Sequence, residues 1–416
     1  MEQQTSTASK TYDVVVWGAT GFTGQIVVEY LYQNYGDGQQ DLKWAIAGRD
    51  SDRLSVIKER IGCHQVPVLL ADSHDPATMT EMVAKTAVVL STVGPYALYG
   101  SHLVAACAVS GTHYCDLTGE VQWMREMIEA HHDQAVASGA RIVHTCGFDS
   151  IPSDLGVLFL QTQMQRSKGI YAEAVKYRLV KAAGAVSGGT VASMLNMMDE
   201  ASKNPALLDV LADPYALNPI NTAPGVDQNE TSMPVYDDAL QQWVGPFVMA
   251  GINTRVVRRS HALAGMPYGV SFGYEEGTLI GEGPKGYLKA LLAGFSTTLG
   301  TTLAAINPIR ALFSRWLPKP GEGPARDKRE AGFFEVILHG TAGSGGNQQS
   351  IKVKVTGDRD PGYGCTAKML AQAGLCLAFD FEGEDPKGGF LTPATAMGDR
   401  LIKRLNEHAG MTFTVD

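Results

Sequence analysis

"VVVWGATGFTGQIVV", residues 14–28, sets three glycines between two apolar runs. The first run, Val14 to Trp17, is β-branched and reads as a buried strand, and Ile26 to Val28 open an apolar helical face. Passing from strand to helix through Gly18, Gly21 and Gly24 puts bare backbone at a helix N-terminus. Unpaired N–H groups and a partial positive charge collect there, and without a Cβ a pyrophosphate reaches them. Gly18, Ala19, Thr20, Gly21, Phe22, Thr23 and Gly24 are therefore a candidate dinucleotide cradle. The spacing is GxxGxxG where the familiar fingerprint is GxGxxG, and the competing reading is a tight turn with no ligand.

Outward from this turn, strand-like runs at 12–17, 42–47, 66–71, 87–93, 112–116 and 140–145 alternate with helix-length segments at 24–35, 51–61, 76–85, 100–110 and 121–138. That alternation marks parallel βαβ units, so the fold class is α/β, with a Rossmann-type doubly wound parallel sheet over residues 1–150. After Asp149 the texture changes. A helix starts in "GFDSIPSDLG", another follows "GAVSGG", and 205–237 is rich in Pro, Asn and Asp. Strands are expected at 254–259, 268–274, 332–340 and 350–356, giving a second, mixed α/β domain over 151–360. Residues 361–416 read as C-terminal helices, at 362–378 and 391–408.

A length of 416 residues suits about two domains, and 44% hydrophobic with 19% charged residues is ordinary globular usage. Against 34 Lys and Arg stand 43 Asp and Glu, a net charge of -9 that argues against nucleic acid as a partner. The six cysteines form no CxxC pair and no zinc spacing with histidine, so neither a metal site nor a disulfide framework is expected, and a reducing cytoplasm fits. "MEQQTSTASKTYD" has no apolar core and reads as a short disordered leader. The stretch 290–309, "ALLAGFSTTLGTTLAAINPI", has no charge and is flanked by Lys285, Lys289, Arg310 and Arg315. Three readings stand: a bilayer span, a peripheral contact with the inner membrane, or a buried or interface helix.

The end of the second strand, "AGRD", addresses which dinucleotide binds. Arg49 offers a forked, charge-assisted contact to a 2′-phosphate, favouring NADP(H) over NAD(H), while Asp50 or Ser51 caps the next helix. Arg53 reads equally as a second phosphate contact or a solvated side chain. After the fourth strand, Ser91, Thr92, Val93 and Gly94 are expected to line the cofactor, with Tyr96 near the nicotinamide, unless Pro95 and Tyr96 only shape the loop.

Taken in order, "GATGFTG", "AGR", "STVGPYALYG", "THYCDLTGE", "GFDSIPSDLG", "SGGTVASML", "LPKPGEGP" and "GGFLTPATAMGDRLIKRL" resemble the saccharopine dehydrogenase-like oxidoreductases, in the branch of the trans-acting enoyl reductases. The resemblance spans residues 12 to 414. It implies an NADP(H)-binding Rossmann domain, a mixed α/β domain and C-terminal helices that pack back on the first. It also implies a lipid or polyketide-like substrate, small or carrier-bound, whose double bond is reduced, and it leaves a homodimer open. True saccharopine reductases, which reduce an imine, resemble a Gly-Leu-Asp-Pro-Gly pattern where Gly147 to Pro152 read "GFDSIP" here, and an imine or amino-acid substrate is the alternative. A non-catalytic, membrane-associated NADP(H)-binding protein is the third reading.

Enoyl reduction needs a hydride at one carbon and a proton at the other. Tyr96, Asp116 and Asp149 are the candidate catalytic groups, with Tyr114, Glu120 and Ser150 on the same sheet edge. Asp116 reads equally as a brace for its loop. Cys115 and Cys146 read as buried structural thiols, and His113 and His144 as packed core groups. "SGGTVAS", 187–193, either presents helix N–H groups to a substrate or is a packing turn.

Overall fold

A computed structural model describes residues 10–37, 42–184, 188–223, 225–226, 233–304, 322–384 and 387–416. Residues 1–9 of the expected leader, Ser187, residues 305–309 of the uncharged stretch and most of "LPKPGEGP" lie outside them, while Tyr12 and Asp13, the end of that leader, belong to the first strand.

The N-terminal strands are β1 (Tyr12–Trp17), β2 (Trp44–Gly48), β3 (Val68–Leu70), β4 (Thr86–Ser91), β5 (His113–Cys115) and β6 (Arg141–Val143). They alternate with α1 (Phe22–Tyr35), α2 (Ser51–Ile61), α3 (Pro76–Ala84), α4 (Tyr96–Tyr99), α5 (Ser101–Ser110) and α6 (Val121–Ser138). The parallel order β3-β2-β1-β4-β5-β6 is that of a doubly wound nucleotide-binding sheet. Alternation along β1 explains why both faces are covered: Val14 and Val16 join one apolar cluster, Val15 and Trp17 the other.

The second sheet contains β7 (Ala174–Ala183), β8 (Val235–Asp237), β9 (Gln242–Gly245), β10 (Gly273–Gly281), β11 (Phe333–Ala342) and β12 (Gln349–Gly357). Before and between these strands in the chain come α7 (Ile151–Lys168), α8 (Gly188–Lys203), α9 (Ala206–Ala212), α10 (Ala250–Leu263), α11 (Gly283–Ala304) and α12 (Arg326–Glu330), of which α9 packs on α6 of the first domain. It is mixed: β10 pairs parallel to β7, and the other pairs are antiparallel.

The C-terminal part contains α13 (Thr366–Phe379), β13 (Gly389–Leu391), α14 (Pro393–Ala396), α15 (Gly398–His408) and β14 (Met411–Val415). It completes both sheets, β13 pairing with β6 and β14 with β12. α13 is buried along most of its length and packs on α1, β1, β4 and β5. It crosses close, since a Cβ at Gly374 would stand 2.3 Å from Leu90.

Three expectations need correction. Residues 361–416, read as helices, also supply the strands β13 and β14, which form because β6 and β12 offer them an open edge. Residues 254–259, read as a strand, lie inside α10. A helix brings Arg255, Arg258 and Arg259 to one side, where they donate to carbonyls of Leu211, Asp213, Pro214 and Leu217; a strand would split them between two faces. The strand expected at 268–274 starts at Gly273, after a turn. The stretch 290–304 belongs to α11, and no helix among the described residues is long and apolar enough to cross a membrane.

Candidate active site

The order of the first sheet reverses between β1 and β4, and the loops after these strands meet there. Thr92 donates its hydroxyl to the Trp17 and Gly18 carbonyls, 3.1 and 3.2 Å away. Gly18 has φ 88°, and a Cβ on it would stand 2.5 Å from Val93 Cγ2. At Gly24 a Cβ would come 2.1 Å from the Gly18 carbonyl. Both glycines are thus demanded by the packing of the turn on its own neighbours. Gly21 differs: its Cβ would meet only that carbonyl, at 3.3 Å. No side chain caps α1, and its first turn has no acidic residue. This open end fits a pyrophosphate, to which Phe22, Thr23 and Gly24 begin the helix. Ala19 is buried, and the Thr20 carbonyl accepts from Gln25 Nε2 at 2.8 Å.

Arg49 leaves β2 exposed and, among the described residues, without a hydrogen bond or ion pair. Asp50 caps α2, accepting from the N–H groups of Asp52 and Arg53 at 3.1 and 3.0 Å. The acidic residue at this edge is therefore occupied by the helix, while the guanidinium is open to a phosphate. Arg53 is exposed one turn away.

The loop after β4 is held from behind. Glu120, 2% exposed, accepts from the N–H groups of Tyr96 and Ala97 at 2.8 and 2.9 Å, clamping "GPYA" to the loop after β5. Ser91 is buried at the strand end, and Gly94 lies against Ser193 of α8, whose hydroxyl a Cβ would meet at 3.3 Å. Tyr96 is buried; its hydroxyl donates to the Ser91 carbonyl at 3.1 Å and accepts from Leu117 N–H at 3.2 Å. Burial, then the charge of Asp116, pushes this phenol well above its ordinary range.

Asp116 is fully buried and saturated. Oδ2 lies 2.7 Å from His144 Nδ1, and Oδ1 accepts from the N–H groups of Thr118 and Thr145, both at 3.1 Å. His144 packs edge-on against Trp123 at 5.2 Å and Tyr114 at 5.9 Å. Burial and the Arg141 charge push His113 down to about 4. Cys115 and Cys146 are buried and free.

Asp149 is the exception. It is half-buried at the turn into α7, and its carboxyl makes no hydrogen bond among the described residues. Burial, followed by the charge of Asp116, pushes it up to about 7. Beside it Phe148 lies 4.9 Å from Phe334 and 6.4 Å from Phe247, ring to ring. Ser150 donates to Asn253 at 3.1 Å, and Asn253 to Glu276 at 2.9 Å. Asn253 and Glu276 escape the sequence, since nothing in their spacing ties them to residue 150, whereas Glu120 stands in a legible motif.

An open phosphate cradle, an unpaired cation just past the next strand and a protonatable acid at the same sheet edge fit a dinucleotide-dependent oxidoreductase. A profile of the saccharopine dehydrogenase NADP binding domain matches residues 14–143. A Mycobacterium tuberculosis protein provisionally named a trans-acting enoyl reductase is 38% identical over 405 residues, 95% of each chain. The trans-acting enoyl reductase of Mycobacterium ulcerans is 37% identical over 417 residues, covering 96% of this chain and 97% of its own. Saccharopine dehydrogenase (L-Glu forming) of Saccharomyces cerevisiae shares the fold, with a TM-score of 0.54 at 13% identity over 97% of this chain and 99% of its own. The chain belongs to the saccharopine dehydrogenase-like family, in the trans-acting enoyl reductase branch, and is an NADP-dependent oxidoreductase.

Proposed function

We propose that the chain reduces a carbon–carbon double bond conjugated to a carbonyl, in a lipid or polyketide-like substrate, and that Asp149 delivers the proton. NADPH, when bound, supplies the hydride. The observation that carries this reading is the placement of Asp149: a half-buried carboxyl after β6, with no hydrogen bond among the described residues, which burial and the charge of Asp116 push up to about 7, suits a general acid. Tyr96 and Asp116, whose polar atoms are bonded to protein groups, are positioning residues that fix the two loops around it. The names of the relatives support the same reaction class.

The surroundings favour an apolar substrate. Next to Asp149 in the chain, Phe148 packs with Phe247 and Phe334 into the apolar core. Two buried arginines of the second domain are engaged within the protein: Arg178 with Asp237 and Glu275, and Arg259 with the Leu217 and Phe390 carbonyls. An imine reductase of saccharopine type is the second reading, and a substrate with several carboxylates would call for free cations of this kind. Presentation of the substrate on a carrier and a homodimer are further parts of the proposal.

Oxidation of NADPH, followed with an α,β-unsaturated acyl thioester and with an amine plus a carboxylic semialdehyde, tests it. Turnover of the thioester alone is expected; turnover of the imine pair alone would replace it with the saccharopine-type reaction.

A further inference from the structure

α11 is built inside out. A helix on a globular protein turns its large apolar side chains inward. Here Gly286, Ala290 and Gly294, one turn apart, are the buried row, and the helix packs on β9 and β10. The fit is tight, since a Cβ at Gly286 would stand 2.3 Å from the Gly281 carbonyl and 3.2 Å from Trp243. The large side chains face outward: Tyr287 is 42% exposed, Leu288 56%, Leu292 58% and Phe295 64%. Leu288, Leu292 and Phe295 recur at i, i+4 and i+7 and form one stripe along the helix. Lys285 and Lys289, both exposed, lie one turn apart along one flank of that stripe. At its start Tyr287 meets Trp243 at 4.8 Å, and Trp243 meets Tyr236 at 5.2 Å.

We propose that α11 docks the protein flat on an anionic lipid surface, with Leu288, Leu292 and Phe295 among the acyl chains and Lys285 and Lys289 at the headgroups. The helix has the three features of an interfacial element: an apolar outer stripe, cations at its edge whose stems reach up to the phosphates, and Trp and Tyr at the boundary. The charge pattern favours lipid: the chain carries a net charge of -9, yet the flank of the stripe is cationic. A second copy of the chain fits less well, because the four side chains offer on the order of 400 Å². A stable protein interface buries roughly 800 Å² per partner. This docking goes beyond the reductase reading and stands without it.

Flotation of the full chain with vesicles of phosphatidylcholine alone, or with about one-third phosphatidylglycerol, tests the proposal. Binding to the anionic vesicles is expected, reduced more than tenfold in Leu292→Ser/Phe295→Ser and roughly tenfold in Lys285→Gln/Lys289→Gln. Melting temperature and NADPH affinity, read on the same samples, should stay unchanged because these side chains are exposed. Failure of the wild type to float, or equal flotation by the variants, would overturn the docking. So would a stripe variant that only turns a dimer into a monomer. Thioester turnover is assayed separately, so lost flotation with intact turnover breaks this proposal and leaves the reductase reading standing.

Discussion

Arg49 follows the last residue of a strand in one seven-stranded sheet and Arg178 sits within a strand of the other, yet Arg49 is exposed and unpaired among the described residues, whereas Arg178 is 1% exposed and bonded to Asp237 and Glu275. The carboxylates divide in the same way. Asp149, at the edge of the first sheet, is open; Glu276, in the second, accepts from Tyr274 at 2.6 Å and from Asn253. Arg49 and Asp149, at the first sheet's edge, are left for a ligand to complete, whereas Asp116 and Glu120 there, like Arg178 and Glu276 in the second sheet, are held by protein groups. Polar residues of one type thus serve binding in one place and architecture in the other, and only partners and burial tell them apart.

Breaking the second sheet should have the largest effect. Arg178→Ala strands Asp237 without its buried partner and should cost about 3–5 kcal/mol in urea unfolding, with NADPH affinity of the folded protein unchanged. Asp149→Asn should lower kcat about a hundredfold or more while the dissociation constant for NADPH holds. The wild-type kcat should fall as pH rises through about 7, where Asp149 loses its proton, and the residual activity of the variant should lack that step. Stability follows the same sign. The folded state holds this proton more tightly than the unfolded chain, whose aspartate titrates near about 3.9, so the group's contribution declines between there and about 7. The Asn variant should therefore gain on the wild type in thermal melts above pH 7. Arg49→Ala should weaken NADPH about tenfold to a hundredfold and leave NADH unchanged in a fluorescence titration; equal losses would remove the phosphate contact. The smallest effect is expected from Arg53→Ala, no more than about threefold on NADPH.

The first sheet was legible because each strand and helix carries its own pattern. Alternation in β1, the cap at Asp50 and the glycines after Trp17 are local signals, and the helices over 51–61 and 121–138 match their expected bounds. The second sheet was less so. In α10 the run Val256–Val257 has strand propensity, but three arginines sharing one set of carbonyls decide for a helix. β7 was not expected: Val175 and Tyr177 alternate, but the buried Arg178 beside them breaks the pattern, while β13 has three residues and is a strand only because β6 lies beside it. In the candidate site, the sequence named Tyr96, Asp116 and Asp149 alike. Their difference lies in hydrogen bonds to Ser91, Leu117, Thr118 and Thr145, and the roles of Glu120 and Ser193 rest on the same folded contacts.

The return of the chain through β13 and β14 has a consequence for its birth. On a ribosome the first six strands of the nucleotide-binding sheet have been made by residue 143, yet the seventh arrives at 389, and the second sheet waits for 411. Neither edge is covered until nearly all of the message has been read. The nascent chain therefore carries an unpaired β6 edge through the synthesis of some two hundred and forty-five residues, about 12 to 50 seconds at typical elongation rates. Unprotected strand edges are where chains pair wrongly, so during synthesis the β6 edge is the place in this topology most open to mispairing.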